Sequence, residues 1–104
     1  MERRPKADLS GGQRKHLRGL AHHLQPLVRI GHQGLSTAVA DAVFEALGTH
    51  ELIKVKLLES APVERKEAGE WLAEQCGAHL VGAVGKIVIL YRRHPDTPQI
   101  PLKP

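Results

Sequence analysis

Aromatic side chains are nearly missing from this 104-residue sequence, which holds one Phe, one Trp and one Tyr. Phe44 and Trp71 fall in helical patterns, so the sequence offers no aromatic platform on a sheet for stacking bases. Cysteine is as scarce. A lone Cys76 permits neither an internal disulfide nor a Cys-rich zinc site, which fits a reducing cytoplasm. It sits on an apolar stripe, as a core residue does. No apolar run approaches the roughly 20 residues of a membrane-crossing helix. Met1-Glu2-Arg3-Arg4-Pro5-Lys6 has charge without an apolar stretch behind it, so it does not read as a secretory signal. None of the seven histidines recurs at i, i+4, and HExxH is absent. A metal-dependent enzyme therefore has no support, and no catalytic residue, metal or cofactor is expected.

Charge is what the sequence does have, unevenly placed. Residues 1–35 carry seven Lys/Arg against two acids, residues 36–80 four against eight, and residues 81–104 four against one. A chain basic at both ends and acidic between can fold into one basic and one acidic face. That is the footprint of a protein with a polyanionic partner.

Periodicity divides the chain. Residues 1–8 form a charged, poorly patterned arm, expected to be flexible. Ser10–Leu24 is a helix: Ser10 and Gln13 have capping-box spacing, and Leu17, Leu20, Ala21 and Leu24 recur at core-facing intervals. Pro26 ends it. Leu27–Ile30 is a short buried strand. Thr37 to about Leu47 is a second helix, N-capped by Ser36 and closed by Gly48. Glu51–Glu59 alternates as a strand, with Ile53, Val55 and Leu57 on one face and Leu52, Lys54, Lys56 and Leu58 on the other. A third helix begins at Ser60-Ala61-Pro62 and runs to Gly77 on the stripe Ala68, Leu72, Cys76. His79–Val84 and Ile87–Tyr91 form a hairpin about Gly85-Lys86, with the wholly apolar second strand central. After His94, recurring prolines predict an extended, unpacked, disordered tail over residues 94–104. The order α-β-α-β-α-β-β gives an α/β fold, a four-stranded mixed sheet with its helices mainly on one face.

One stretch stands out chemically. Leu27–Ile30 runs into Gly31-His32-Gln33-Gly34, and a helix starts directly after it. Glycines at both ends let the backbone approach a partner, and a helix N-terminus presents free N–H groups and partial positive charge. The combination suits a phosphate, although strand–turn–helix also serves as a tight connection without any ligand.

Several blocks in order resemble the YhbY family, the single-domain form of the CRM (chloroplast RNA splicing and ribosome maturation) domain. They are Leu9-Ser10-Gly11-Gly12-Gln13-Arg14, Leu17-Arg18-Gly19-Leu20-Ala21-His22, Pro26-Leu27-Val28-Arg29-Ile30-Gly31, Gly34-Leu35, His50-Glu51-Leu52-Ile53-Lys54-Val55-Lys56 and Gly85-Lys86-Ile87-Val88-Ile89-Leu90-Tyr91-Arg92, spanning residues 9–93. The resemblance implies a fold similar to the C-terminal domain of translation initiation factor 3. It also implies non-catalytic RNA binding with Gly31–Gly34 as the backbone-clamping element. Bacterial single-domain members are associated with large-subunit ribosomal precursors. The family's loop commonly has Lys-Asn where this chain has His32-Gln33, so the loop relies on its main-chain donors.

The expected RNA site is therefore Gly31, His32, Gln33 and Gly34, extended by Arg14, Lys15, Arg18 and Arg29, with Lys54 and Lys56 on an exposed sheet face. The partner is RNA, the expected localisation cytoplasmic, and the expected state in isolation a monomer without membrane contact. An alternative is a protein-interaction module that docks on basic ribosomal proteins through its acidic helices.

Overall fold

The computed structural model of the protein describes residues 8–102. The expected basic arm lies outside them apart from Asp8, as do the last two residues of the tail. The elements are α1 (Gly11–Ala21), β1 (Pro26–Ile30), α2 (Thr37–His50), β2 (Leu52–Leu57), α3 (Arg65–Cys76), β3 (His79–Val84) and β4 (Ile87–Tyr91), in the anticipated order. Both predicted N-caps form. The Gln13 amide donates to Ser10 Oγ at 3.1 Å while the Ser10 amide donates to Gln13 Oε1 at 2.9 Å, and the Val39 amide donates to Ser36 Oγ at 3.1 Å.

Three boundaries differ from the sequence reading. α1 stops at Ala21, three residues early, so only Leu17 and Ala21 of its expected stripe are buried, while Leu20 and Leu24 are exposed. α2 continues through Gly48 to His50 and ends at Glu51, whose φ of 56° breaks the helix in the way glycine was expected to. α3 starts at Arg65, because the chain after β2 first closes a turn in which the Ala61 amide donates to the Leu58 carbonyl at 2.9 Å.

The strand order is β1-β2-β4-β3. β1 pairs parallel to β2, while β4 pairs antiparallel to both β2 and β3. The apolar strand β4 thus occupies the interior and separates β2 from β3. Helices α2 and α3 pack on one face over Val43, Leu47, Val55, Leu72, Val88 and Leu90, all essentially buried. Each such side chain contributes about 2 kcal/mol. Gly69 lets α3 approach the sheet closely: a Cβ there would lie 2.7 Å from Leu80 Cδ1 and 3.1 Å from Val88 Cγ1.

α1 alone crosses the other face, over Leu52, Val81, Ile89 and Tyr91. Its course explains the fate of the lysines on β2. Lys54 is half-buried and donates to the His22 carbonyl at 3.3 Å, capping the C-terminal end of α1, whereas Lys56 lies beyond the helix and is exposed.

The tail is not unpacked over residues 94–102. Glu51 is 3% exposed, and its carboxylate accepts the His94, Gln99 and Ile100 amides at 2.7, 2.8 and 2.9 Å. Ile100 and Leu102 then pack against the α1-side core. Proline removes donors and favours extension, but the non-proline amides between the prolines satisfy a buried carboxylate that would otherwise be costly.

Candidate nucleic-acid interface

The sheet register assembles the site. Arg29 pairs with Lys56, Lys56 with Ile87, and Ile87 with Val84, which makes one row across all four strands on the α1 face. α1 covers the rows nearer Tyr91 and leaves this row open: Arg29, Lys56 and Val84 are exposed and Ile87 half-buried. The loop after Ile30 leaves from the same end of the sheet, because Ile30 pairs with Leu57. The Gly85–Lys86 turn joins β3 to β4 at that end too, and Lys86 is exposed there.

Within the loop, the Gly34 amide closes a turn on the Gly31 carbonyl at 3.0 Å. His32 and Gln33 are exposed at its tip, and their amides have no acceptor among the described residues. The exposed Thr37 and Ala38 begin α2, where backbone N–H groups precede the first intrahelical acceptor. The amides of His32, Gln33, Thr37 and Ala38, all exposed residues, thus have no acceptor among the described residues and lie on the end of the sheet that carries Arg29 and Lys56. The two glycines do different work. Gly31 has open space, with Leu58 Cδ1 3.8 Å from where a Cβ would sit. Gly34 is buried at φ +70°, and a Cβ would meet the Pro62 ring at 3.1 Å. Its lack of a side chain serves the turn and its contact with Pro62.

Not all the expected cations gather here. Arg14 donates to the Leu80 carbonyl, and Arg18 to the Val81 carbonyl at 3.3 Å. The register of β3 with β4 shifts between Leu80 and Gly82, which leaves Val81 as an extra residue in the strand. Such a bulge interrupts the ladder, and the two arginines fasten α1 to it. Each guanidinium keeps further donors, but both stand at the β3 edge, across the sheet from the glycine loop. Lys15 is exposed on α1, and Lys54 is tied to the end of that helix.

Sequence reading missed Lys86 and Arg65. Lys86 was visible as a hairpin residue, but only the placement of β4 beside β2 brings its turn to the end of the sheet where the loop lies. Arg65 donates to the Gly85 carbonyl at 3.1 Å, which fixes that turn against the start of α3. At the opposite end His79 stacks on Tyr91 with centroids 6.3 Å apart. Burial pushes the His79 pKa below its ordinary value, the Arg14 charge adds to this, and Asp8 opposes it. Among the described residues no three His, Cys, Asp or Glu side chains gather as a metal site, and no helix is long and apolar enough to cross a membrane.

These features define a small α/β domain with a cationic, uncovered sheet end that opens on bare main-chain amides. The CRS1/YhbY (CRM) domain profile matches residues 9–92, and the chain belongs to that family. It is 33% identical over 94 residues to "Probable RNA-binding protein YqeI" of Bacillus subtilis, covering 90% of this chain and 98% of that one. It is 38% identical over 84 residues to an "RNA-binding protein" of Haemophilus influenzae, covering 81% and 85%. The solution structure of the hypothetical protein SAV1595 from Staphylococcus aureus superposes with a TM-score of 0.79 at 32% identity, over 92% of this chain and all of that one.

Proposed function

We propose that the protein binds RNA, without catalysis, through the open end of its sheet. The observation that carries this reading is the register of Arg29 with Lys56 on a sheet face left uncovered beside the loop amides. Main-chain donors and cations of this kind hold phosphates and set the position of the strand without reading its sequence. The names of the relatives from Bacillus and Haemophilus agree with an RNA partner. With five phosphates engaged, log K for single-stranded RNA falls with log salt at a slope of about −3.5, and a slope near zero contradicts the reading.

The RNA we propose is ribosomal RNA within large-subunit precursors, met by a cytoplasmic monomer during ribosome assembly. This rests on the family's association with such particles. Crosslinking in cells followed by sequencing of the bound RNA tests it: reads concentrated in precursor large-subunit RNA support the proposal, and reads spread over messenger RNA overturn it.

A further inference from the structure

A groove of about 690 Å³ opens next to the Gly31–Gly34 loop, between the end of β2, the Gly85–Lys86 turn and the start of α3. Its lining sets the apolar Pro62 and Val63 beside Arg65 and Lys86 and beside the carboxylates Glu64 and Glu67. Groove and loop are contiguous, because the Pro62 ring that lines the groove is the group backing Gly34. The wall is held in place by the Arg65 bond to the Gly85 carbonyl and by the Leu57 amide donating to the Lys86 carbonyl at 2.7 Å.

The two acids are out of place in a site for phosphates. Glu64 occupies the N-cap position of α3 without its side chain capping it, and neither the Glu64 nor the Glu67 carboxylate has a hydrogen-bond or ion-pair partner among the described residues. Beside a polyanion, each costs affinity unless its oxygens accept hydrogen bonds from the ligand. Among the RNA bases only guanine shows two adjacent donors, N1–H and the N2 amino group, along its Watson–Crick edge. A carboxylate accepts such a pair with both oxygens. Single-stranded RNA presents that edge to proteins, whereas a duplex hides it.

We infer that this groove takes an unpaired guanine of the bound RNA, its plane against Pro62 and Val63, its Watson–Crick edge on the Glu64–Glu67 carboxylates and its phosphate toward Lys86 and the loop. The inference rests on the proposed RNA binding and adds to it a subsite that reads a base.

Anisotropy titrations test it with single-stranded oligomers of about twelve nucleotides: uridine throughout, uridine with one central guanosine, and the same with inosine, which lacks the N2 amino group. The protein binds the guanosine oligomer about tenfold more tightly than oligouridine, the gain of one bidentate pair, and inosine forfeits most of that gain. In a Glu64→Ala/Glu67→Ala variant oligouridine binds as well or more tightly, because two negative charges are gone, while the preference for guanosine falls to about one. Both positions are exposed, so the variant keeps the fold. Equal affinity of the unaltered protein for oligouridine and the guanosine oligomer, or a preference that survives in the variant, overturns the guanine subsite and leaves the phosphate site standing. Failure to bind any of the three overturns the RNA reading itself.

Discussion

At the end of the sheet where β4 finishes, Glu51 is buried and takes three tail amides on its carboxylate, and Ile100 and Leu102 close over the α1-side core. At the other end, where β1 finishes, Arg29, Lys56 and Lys86 are exposed beside amides that donate to no acceptor among the described residues. One end directs its charge inward and completes the fold. The other holds charge and donors outward, where water solvates them until a ligand takes its place. The cations obey the same division: Arg14 and Arg18 of α1 are engaged by carbonyls of the β3 bulge, whereas Arg29 of β1 and Lys56 of β2 have no such acceptor among the described residues. Positive charge in a sequence therefore does not identify a binding surface until the backbone acceptors near it are known.

The sharpest way to break this contrast is Glu51→Ala. Losing the acceptor of three amides costs about 3 kcal/mol, seen as a lower denaturant midpoint, while RNA affinity at the far end stays unchanged under folding conditions. Parallel loss of both means the two ends are not separable. Next in size is the double reversal Arg29→Glu/Lys56→Glu. Removing two phosphate contacts weakens RNA binding by about 25-fold at moderate salt with little change in unfolding midpoint, whereas alanine at Arg14 and Arg18 moves the midpoint first.

Within the open end, Gly34→Ala costs about 1–2 kcal/mol, from its left-handed backbone and the Pro62 contact. Gly31→Ala leaves stability nearly unchanged. Equal costs at the two positions contradict the division of labour in the loop. The smallest effect concerns pH at the closed end. His79 has a lowered folded pKa, so the unfolded chain binds more protons as pH falls below the ordinary value of 6.5. Stability is full above that value and declines as pH drops through the folded pKa. His79→Gln removes that increment of acid sensitivity, and an unchanged stability–pH profile in the variant contradicts the assignment.

Much of this was legible in the sequence. The order of elements, both N-caps and the central place of Ile87–Tyr91 followed from local signals, namely short-range hydrogen bonds and apolar patterning. What was not legible depended on partners far along the chain. Glu51 looked like an ordinary acid at a strand edge, and its role needs the amides of residues 94–100. Arg14 and Arg18 read as free cations because Gly82, the one mark of the bulge in the sequence, does not say which side chains reach the carbonyls that the bulge exposes. Gly34 looked like a ligand-facing glycine until Pro62 was seen behind it. The tail departs from its expected course for a related reason: its prolines argue for extension, but bends at Pro95, Asp96 and Ile100 fold it back so that the His94, Gln99 and Ile100 amides converge on Glu51.

Backbone amide shifts followed during titration with single-stranded RNA test the central claim most directly. The account predicts that the resonances that move belong to residues 31–38, Arg29, Lys56 and Lys86, while His94, Gln99 and Ile100 at the Glu51 end stay in place. Shifts that gather at the Glu51 end, with the glycine loop unmoved, contradict it.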